Sequence, residues 1–367
     1  MQWKEQLLTL TPYQPGRPIE SVKREYGLEH IVKLASNENP FGASPKAVSA
    51  LKDAAVNFAI YPDGYATRLR EAMCEFLNVD ENQLIFGNGA DNLIQIVSRS
   101  FLVPGKNTVM ANPTFSQYKH NAIIEGAEIR EVPLVDGQHD LDSMRSAIDE
   151  NTAVVWVCSP NNPTGIHISR DKLVSFLDNV PKETLVVIDD AYHDYVVADD
   201  FYDAVEFAKK HSNVIVLRTF SKIYGLSSLR VGYGVAHQDI IRALEPVREP
   251  FNVNTFGQIA AMAALEDGAY VEECRQKNRD GIAQFEQFCK EKQLGYYPSQ
   301  ANFILIDFGT SGDEVFQYLL QRGYIVRSGN ALGFPTSVRV TVGSTEENNG
   351  VIEVMKQYLQ EKASISQ

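Results

Sequence analysis

The chain has 367 residues, 44% hydrophobic and 22% charged, with a formal net charge of −13 at pH 7. That length exceeds one compact core and predicts two domains, in a composition ordinary for a soluble globular enzyme. The acidic balance, with no Lys/Arg-rich block, argues against nucleic acid or an anionic membrane as a main partner.

No run approaches the ~18 apolar residues of a membrane span. The opening residues Met1–Gly16 lack the apolar core and cleavage site of a signal peptide, so a cytoplasmic location is expected. Cys74, Cys158, Cys274 and Cys289 have no metal-like spacing. They read as reduced packing thiols, and no metal is expected.

Residues 1–44 read as an arm. Thr11-Pro12-Tyr13-Gln14-Pro15-Gly16 is turn-rich, Ile31-Val32-Lys33-Leu34 suits a short strand, and Ala35–Gly42 is a polar loop. A helix is signalled from Ser44, with Ser44 as N-cap, Pro45 in the first position, and Val48 and Leu51 on one face. Tyr61-Pro62-Asp63-Gly64 is a turn. Ala66–Leu77 is helical, with Leu69, Met73 and Phe76 spaced for one face.

Leu84-Ile85-Phe86 is a short strand, and Gly87-Asn88-Gly89-Ala90-Asp91 turns into a helix over Asn92–Phe101. A glycine turn opening a helix presents free N–H groups and the positive dipole end, a ready anion site. An ordinary strand-to-helix turn suits the stretch equally well. Val109-Met110 is a strand running into Asn112–Tyr118. Residues 153–158 form a buried strand that ends in Ser159-Pro160-Asn161-Asn162-Pro163-Thr164-Gly165. Asn162 can donate to a phenolate oxygen while the prolines stiffen the loop. The next strand, from Leu185, ends in Asp189-Asp190-Ala191-Tyr192. A carboxylate closing an apolar strand is costly unless paired; a Lys or Arg is the ordinary partner, a ring N–H cation another.

Val214–Leu217 reads as a strand buried on both faces. It stops where Thr219 and Ser221 bracket Lys222, and Arg230 follows after a loop holding Gly225, Ser227 and Ser228. Hydroxyls, a lysine and an arginine at a strand end suit an anion beside an amine nucleophile, although a lone strand-end lysine is more often a surface residue. Helices follow at Ile240–Leu244, Gln258–Leu265 and Tyr270–Gln293. The rest reads as strand 302–307, helix 313–321, strands 324–326 and 338–342, and helix 346–360. Arg327 and Arg339 fall on a hairpin-like unit of this small α/β layer. A single strand arginine is usually a structural ion pair; two together favour an anion clamp. The expected division is an arm over 1–44, a large domain over 45–270 and a small domain over 271–367.

Ser221-Lys222-x-x-Gly225-x-x-x-x-Arg230-x-Gly232 resembles the lysine motif of the aspartate-aminotransferase-like, fold-type I enzymes that use pyridoxal phosphate. The other motifs follow in the family's order, from Tyr13 to Arg339. The resemblance implies an α/β fold: a large domain with a mostly parallel seven-stranded sheet flanked by helices, and a small α/β C-terminal domain. It implies pyridoxal 5'-phosphate as cofactor, with Lys222 forming the Schiff base and carrying the proton. The backbone at Ala90 and Asp91, with Thr219, Ser221 and Arg230, would hold the phosphate. Phe115 would stack on the ring, Asp189 partner the ring nitrogen, and Asn162 and Tyr192 meet the ring oxygen. Tyr13, Asn37, Asn162, Arg327 and Arg339 would meet substrate.

A homodimer is implied too, with Tyr61 reaching the neighbouring subunit's cofactor phosphate and the arm joining the small domain and the dimer contact. Within the family, Leu10–Tyr13, Ser36–Pro40, Tyr61–Asp63, Gly89–Asp91 and the arginine pair most resemble a branch that transaminates a phosphate ester against glutamate and 2-oxoglutarate. Aromatic amino-acid aminotransferases and threonine-phosphate decarboxylases are the alternatives. A non-catalytic regulator that binds the same cofactor would need a DNA-binding module, for which the acidic chain offers no candidate segment.

Overall fold

The computed structural model describes residues 1–12 and 16–365; Tyr13, expected to meet substrate, lies outside them. Seven strands build the main sheet: β1 (Leu84–Gly87), β2 (Asn107–Asn112), β3 (Glu128–Pro133), β4 (Thr152–Cys158), β5 (Leu185–Asp189), β6 (Val214–Thr219) and β7 (Gly232–Ala236). Their order is β1-β7-β6-β5-β4-β2-β3. Only β7 runs against its neighbours, so the expected mostly parallel sheet is present.

Side chains alternate across a strand, and here both faces are covered. Val155, Val157, Val186, Ile188 and Val216 point into one core, and Val154, Trp156, Val187, Ile215 and Leu217 into the other. Because β7 is reversed, Gly87, Asn112, Cys158, Asp189 and Thr219 finish at the same edge where β7 begins. Ligands of such sheets bind beyond the carboxyl ends of the strands.

Some local readings differ. The helix Ala90–Phe101 starts on the glycine turn itself, two residues earlier than its apolar spacing suggests. Phe76 is 53% exposed, and Leu77 takes the buried place beside Leu69 and Met73. Leu77 follows Met73 by one full turn, whereas Phe76 falls short of it. The edge strand β3, Glu-Ile-Arg-Glu-Val-Pro, is covered by no hydrophobic signal because it is largely solvent-facing. Ser44 caps Pro45–Asp53 as expected, accepting from Ala47 N while its hydroxyl donates to Asp267 Oδ2 at 2.7 Å.

A four-stranded antiparallel sheet, ordered Arg327–Ser328, Ser337–Thr341, Phe303–Asp307, Gly295–Tyr296, has its own core around Phe285, Phe288, Ile304 and Val340. The stretch expected as one strand over 324–326 splits. Tyr324–Ile325 pairs in parallel with Val32–Lys33, and Arg327–Ser328 joins the antiparallel sheet. The arm also carries a helix, Ile19–Tyr26, whose Val22 packs with Leu320 and Ile325. The lysine loop meets the arm too closely for a side chain. Gly225 has φ +68, and a Cβ there would lie 1.9 Å from Gly42 O. Among the described residues no helix is long and apolar enough to cross a membrane.

Candidate active site

The strand ends enclose a cavity of about 620 Å³. At one end lies the helix Ala90–Phe101. Its N-cap, Gly89, has φ 81, and no side chain caps the first turn. The N–H groups there remain available to an anion. Arg230, itself left-handed at φ 54, lays its guanidinium over this turn. Nη1 donates to Ser221 Oγ and Ser227 O, both at 3.1 Å, and Nη2 lies 3.8 Å from Asp91 Oδ2. A Cβ on Gly89 would fall 2.3 Å from Arg230 Nη2 and push the guanidinium from this place, and the φ of +81 itself favours glycine. Thr219 Oγ1 accepts from Ser221 N at 3.0 Å and donates to Val231 O at 3.3 Å, which holds the hydroxyl loop in shape. A cation, a hydroxyl and an open helix N-terminus together suit a phosphate group.

At the other end Asp189, 5% exposed, closes β5. Its Oδ2 accepts from Tyr118 Oη at 2.6 Å and its Oδ1 from Ala191 N at 3.2 Å. Burial pushes its pKa up to about 6, while the Tyr118 hydrogen bond pulls the other way. The arginine that would ordinarily partner a strand-end acid goes to the next residue. Arg218 Nε donates to Asp190 Oδ2 at 2.8 Å and Nη2 to Asp203 Oδ1 at 2.6 Å. Asp189 is left to face the cavity, as a carboxylate for a ring N–H cation requires.

Lys222 enters the cavity after β6. Its Nζ lies 3.5 Å from Ser36 O and 5.4 Å from the centre of the Tyr192 ring. Burial, then the charge of Arg339, lowers its pKa to about 8. An amine so tuned has an appreciable neutral fraction near physiological pH, as a nucleophile and proton carrier must. Tyr192 Oη accepts from Asn37 Nδ2 at 2.8 Å, so its own O–H is left to donate. Burial pushes the Tyr192 phenol well up, so it stays protonated. Asn162 Oδ1 accepts from Arg339 Nη1 at 2.6 Å, which leaves the Asn162 N–H groups for a ligand oxygen. Arg339 Nη2 also donates to Ala35 O at 2.8 Å. Arg327 stands directly opposite Arg339 in the antiparallel ladder, and both line the cavity.

The structure thus gathers Asn37, Ala90, Asp91, Phe115, Asn162, Asp189, Tyr192, Thr219, Ser221, Lys222, Arg230, Arg327 and Arg339 around one cavity. It does not bring Tyr61 there. That ring is 76% exposed and stacks on Phe251 at 4.7 Å. Sequence reasoning overlooked Tyr118, the partner of Asp189. The available signal was its place three residues after Phe115 at the start of the helix Ser116–Glu125. It also overlooked Asn161. Its Oδ1 accepts from Thr114 Oγ1 at 2.7 Å and lies 3.2 Å from His139 Nε2, tying the Phe115 loop to the Asn162 loop. The cavity fits pyridoxal phosphate by the chemistry of its donors: an anion cradle with room kept by Gly89, a buried carboxylate at the far end, and a lysine between.

The sequence pattern of the class I and II aminotransferases matches residues 29–354, and the chain belongs to that family. It is 59% identical over 365 residues to a histidinol-phosphate aminotransferase of Geobacillus sp. (strain WCH70), covering 100% of both chains. It is 56% identical over 360 residues to the histidinol-phosphate aminotransferase of Bacillus subtilis (strain 168), covering 98% of this chain and 100% of the relative. Among solved structures, the histidinol-phosphate aminotransferase of Sinorhizobium meliloti in complex with pyridoxal-5'-phosphate superposes with a TM-score of 0.88. The two are 25% identical, over 97% of this chain and 98% of that one.

Replacing Lys222 with Ala removes the buried amine that enters the cavity after β6. The variant should fold with an unchanged melting temperature and still take up pyridoxal phosphate, but without the absorbance of a lysine-linked cofactor. Turnover should fall by roughly 10²–10⁴-fold or more. Steady-state transamination checks this, and near-normal turnover contradicts the role given to Lys222.

Proposed function

We propose that this protein catalyses the histidinol-phosphate aminotransferase reaction of histidine biosynthesis. With pyridoxal 5'-phosphate bound, an amino group passes between L-histidinol phosphate and 2-oxoglutarate, with imidazole-acetol phosphate and glutamate as the other pair. The observation that carries this choice of substrate is Arg327 set in register against Arg339 in the cavity wall. Two guanidinium groups suit a phosphate dianion in one half-reaction and a glutamate carboxylate in the other.

The residues divide the work by charge. Pyridoxal phosphate, when bound, supplies the electron sink for proton removal at the substrate Cα. The N–H groups at Ala90 and Asp91, with Thr219, Ser221 and Arg230, would hold its phosphate. Phe115 would cover one face of the ring. Asp189 would face the ring nitrogen and keep it protonated, while Asn162 and Tyr192 would donate to the ring oxygen. Lys222 Nζ would take the proton from the substrate Cα and deliver it to the cofactor carbon that carried the aldehyde, acting as general base and then as general acid.

The chain divides, in this reading, into an arm over 1–44, a large domain over 45–270 and a small domain over 271–367. The separate cores of the two sheets support the division. A homodimer is supported by the surface run of Phe58, Ile60, Tyr61 and Tyr65, all more than half exposed beside Phe251. Tyr61 would complete the neighbouring subunit's phosphate cradle. A cytoplasmic location accords with four free thiols and biosynthetic substrates.

Arg327→Ala should weaken use of histidinol phosphate far more than use of phenylalanine. Losing one charge-assisted contact costs on the order of 1.5–3 kcal/mol, or roughly 10–150-fold in kcat/KM. Arg339→Ala should impair every substrate pair, because that side chain also holds Asn162 and Ala35. Steady-state kinetics with both amino donors decides it. An equal loss for the two donors in Arg327→Ala would move an aromatic amino-acid aminotransferase ahead. Shared sites are tested by mixing a Lys222→Ala chain with an impaired Tyr61→Phe chain. The mixed dimer holds one site with neither lesion, so activity should return on mixing; exchange of subunits without recovery contradicts sharing.

A further inference from the structure

Asp189 has a partner that the chemistry so far leaves without a task. Tyr118 is fully buried behind the cavity wall, at the third position of the helix Ser116–Glu125. Its ring lies on Trp156 at 4.8 Å with 10° between the planes. Trp156 is itself fixed, its Nε1 donating to Thr108 Oγ1 at 2.9 Å, and Thr108 Oγ1 donating to Val154 O at 2.8 Å. The Tyr118 ring therefore cannot swing, and its hydroxyl reaches Asp189 Oδ2 at 2.6 Å. Phe115, one turn earlier, meets the Tyr118 ring edge-on at 5.7 Å. One helix start thus sets both the ring over the cavity and the phenol behind the carboxylate.

We propose that Tyr118 is a positioning residue for the amino-transfer reaction: its stacked phenol donates to Asp189 Oδ2 from behind the cavity and holds that carboxylate ionised and oriented toward the ring nitrogen of the cofactor. This rests on the reading of Asp189 as the partner of that nitrogen. A hydrogen bond to the charged form of an acid favours that form. Burial disfavours it, and the nearby Asp91 carboxylate adds to the cost, while the Lys222 cation opposes it. The other titratable neighbours, Cys158 and Tyr192, are both held neutral by burial and supply no charge. Tyr118 is likewise held protonated by burial, so its O–H remains a donor across the working range. With Ala191 N on the other oxygen, the carboxylate is fixed from two sides and faces the cavity with its remaining acceptor capacity.

The experiment uses the full chain, with and without cofactor, in four forms: wild type, Tyr118→Phe, Asp189→Asn, and the double variant. Phe keeps the stack on Trp156 and removes only the donor. In the holoenzyme, Tyr118→Phe should shift the acid limb of cofactor retention and of kcat upward by roughly one pH unit. In the cofactor-free chain the sign can be worked independently. The folded pKa of Asp189 lies above its unfolded value, so its ionisation costs stability above about pH 6 and costs nothing below the unfolded pKa. Losing the donor raises that cost only where Asp189 is ionised. Tyr118→Phe should therefore lower the melting temperature more at about pH 8 than at about pH 5, and the difference should vanish in the Asp189→Asn background. An equal loss at both pH values, or an unmoved acid limb, leaves Tyr118 as packing alone and overturns the proposal. If Asp189→Asn itself retains cofactor and turnover as wild type does, the reading of Asp189 fails instead.

Discussion

A carboxylate buried at the end of an apolar strand is the constraint on which the rest of the site depends. Asp189 is 5% exposed between the ends of β4 and β6, and burial raises the cost of its charge. One phenol and one backbone N–H offset part of that cost. The remainder calls for a cation arriving in the cavity, and a protonated ring nitrogen is one. Because β4, β5 and β6 are adjacent and parallel, the loops that follow them deliver Asn162, Tyr192 and Lys222 around the same point. The opposite sign is built at the other end, where Arg230 and an uncapped helix start await an anion. Groups of both signs thus line the cavity before any ligand enters, as preorganised electrostatic stabilisation requires.

The segment between the two sheets belongs to both. Asn37, in the left-handed region at φ 55, donates to Tyr192, while Thr341 of the C-terminal sheet and Asn302, just before its strand Phe303–Asp307, hold its side chain and its carbonyl. Arg339 from that same sheet reaches Ala35 and Asn162. A residue in a sparsely populated conformation persists only when its surroundings over-determine it. Here three side chains from distant parts of the chain, Tyr192, Asn302 and Thr341, do so through four hydrogen bonds. Asn37, Tyr192, Asn162 and Arg339 are therefore tied to the same strand of the C-terminal sheet, and under the proposed roles a change in Arg339 would reach the ring oxygen through Asn162.

The fold class and most cavity residues were legible in the sequence because strand ends carry their chemistry in order. Val214–Leu217 followed by Lys222, and Leu185–Ile188 followed by Asp189, are local patterns, and a parallel sheet turns them into a common edge. What escaped was set by tertiary contact. Tyr118 looks like any helix-start aromatic until Trp156 and Asp189 close on it. The edge strand β3 carries charges at Glu128, Arg130 and Glu131 and offers no apolar run. Phe76 shares an apolar spacing with Met73, yet the helix turns it to solvent. Tyr61 shows the reverse case, a residue whose proposed task lies in a second copy of the chain.

The central claim is that Asp189 keeps the cofactor's ring nitrogen protonated inside a buried pocket. Nuclear magnetic resonance of the wild-type protein loaded with pyridoxal phosphate labelled with nitrogen-15 in the ring tests it most directly. Near neutral pH the ring nitrogen should resonate in the protonated range and move to the neutral range in Asp189→Asn. A neutral ring nitrogen in the wild-type protein would contradict the account.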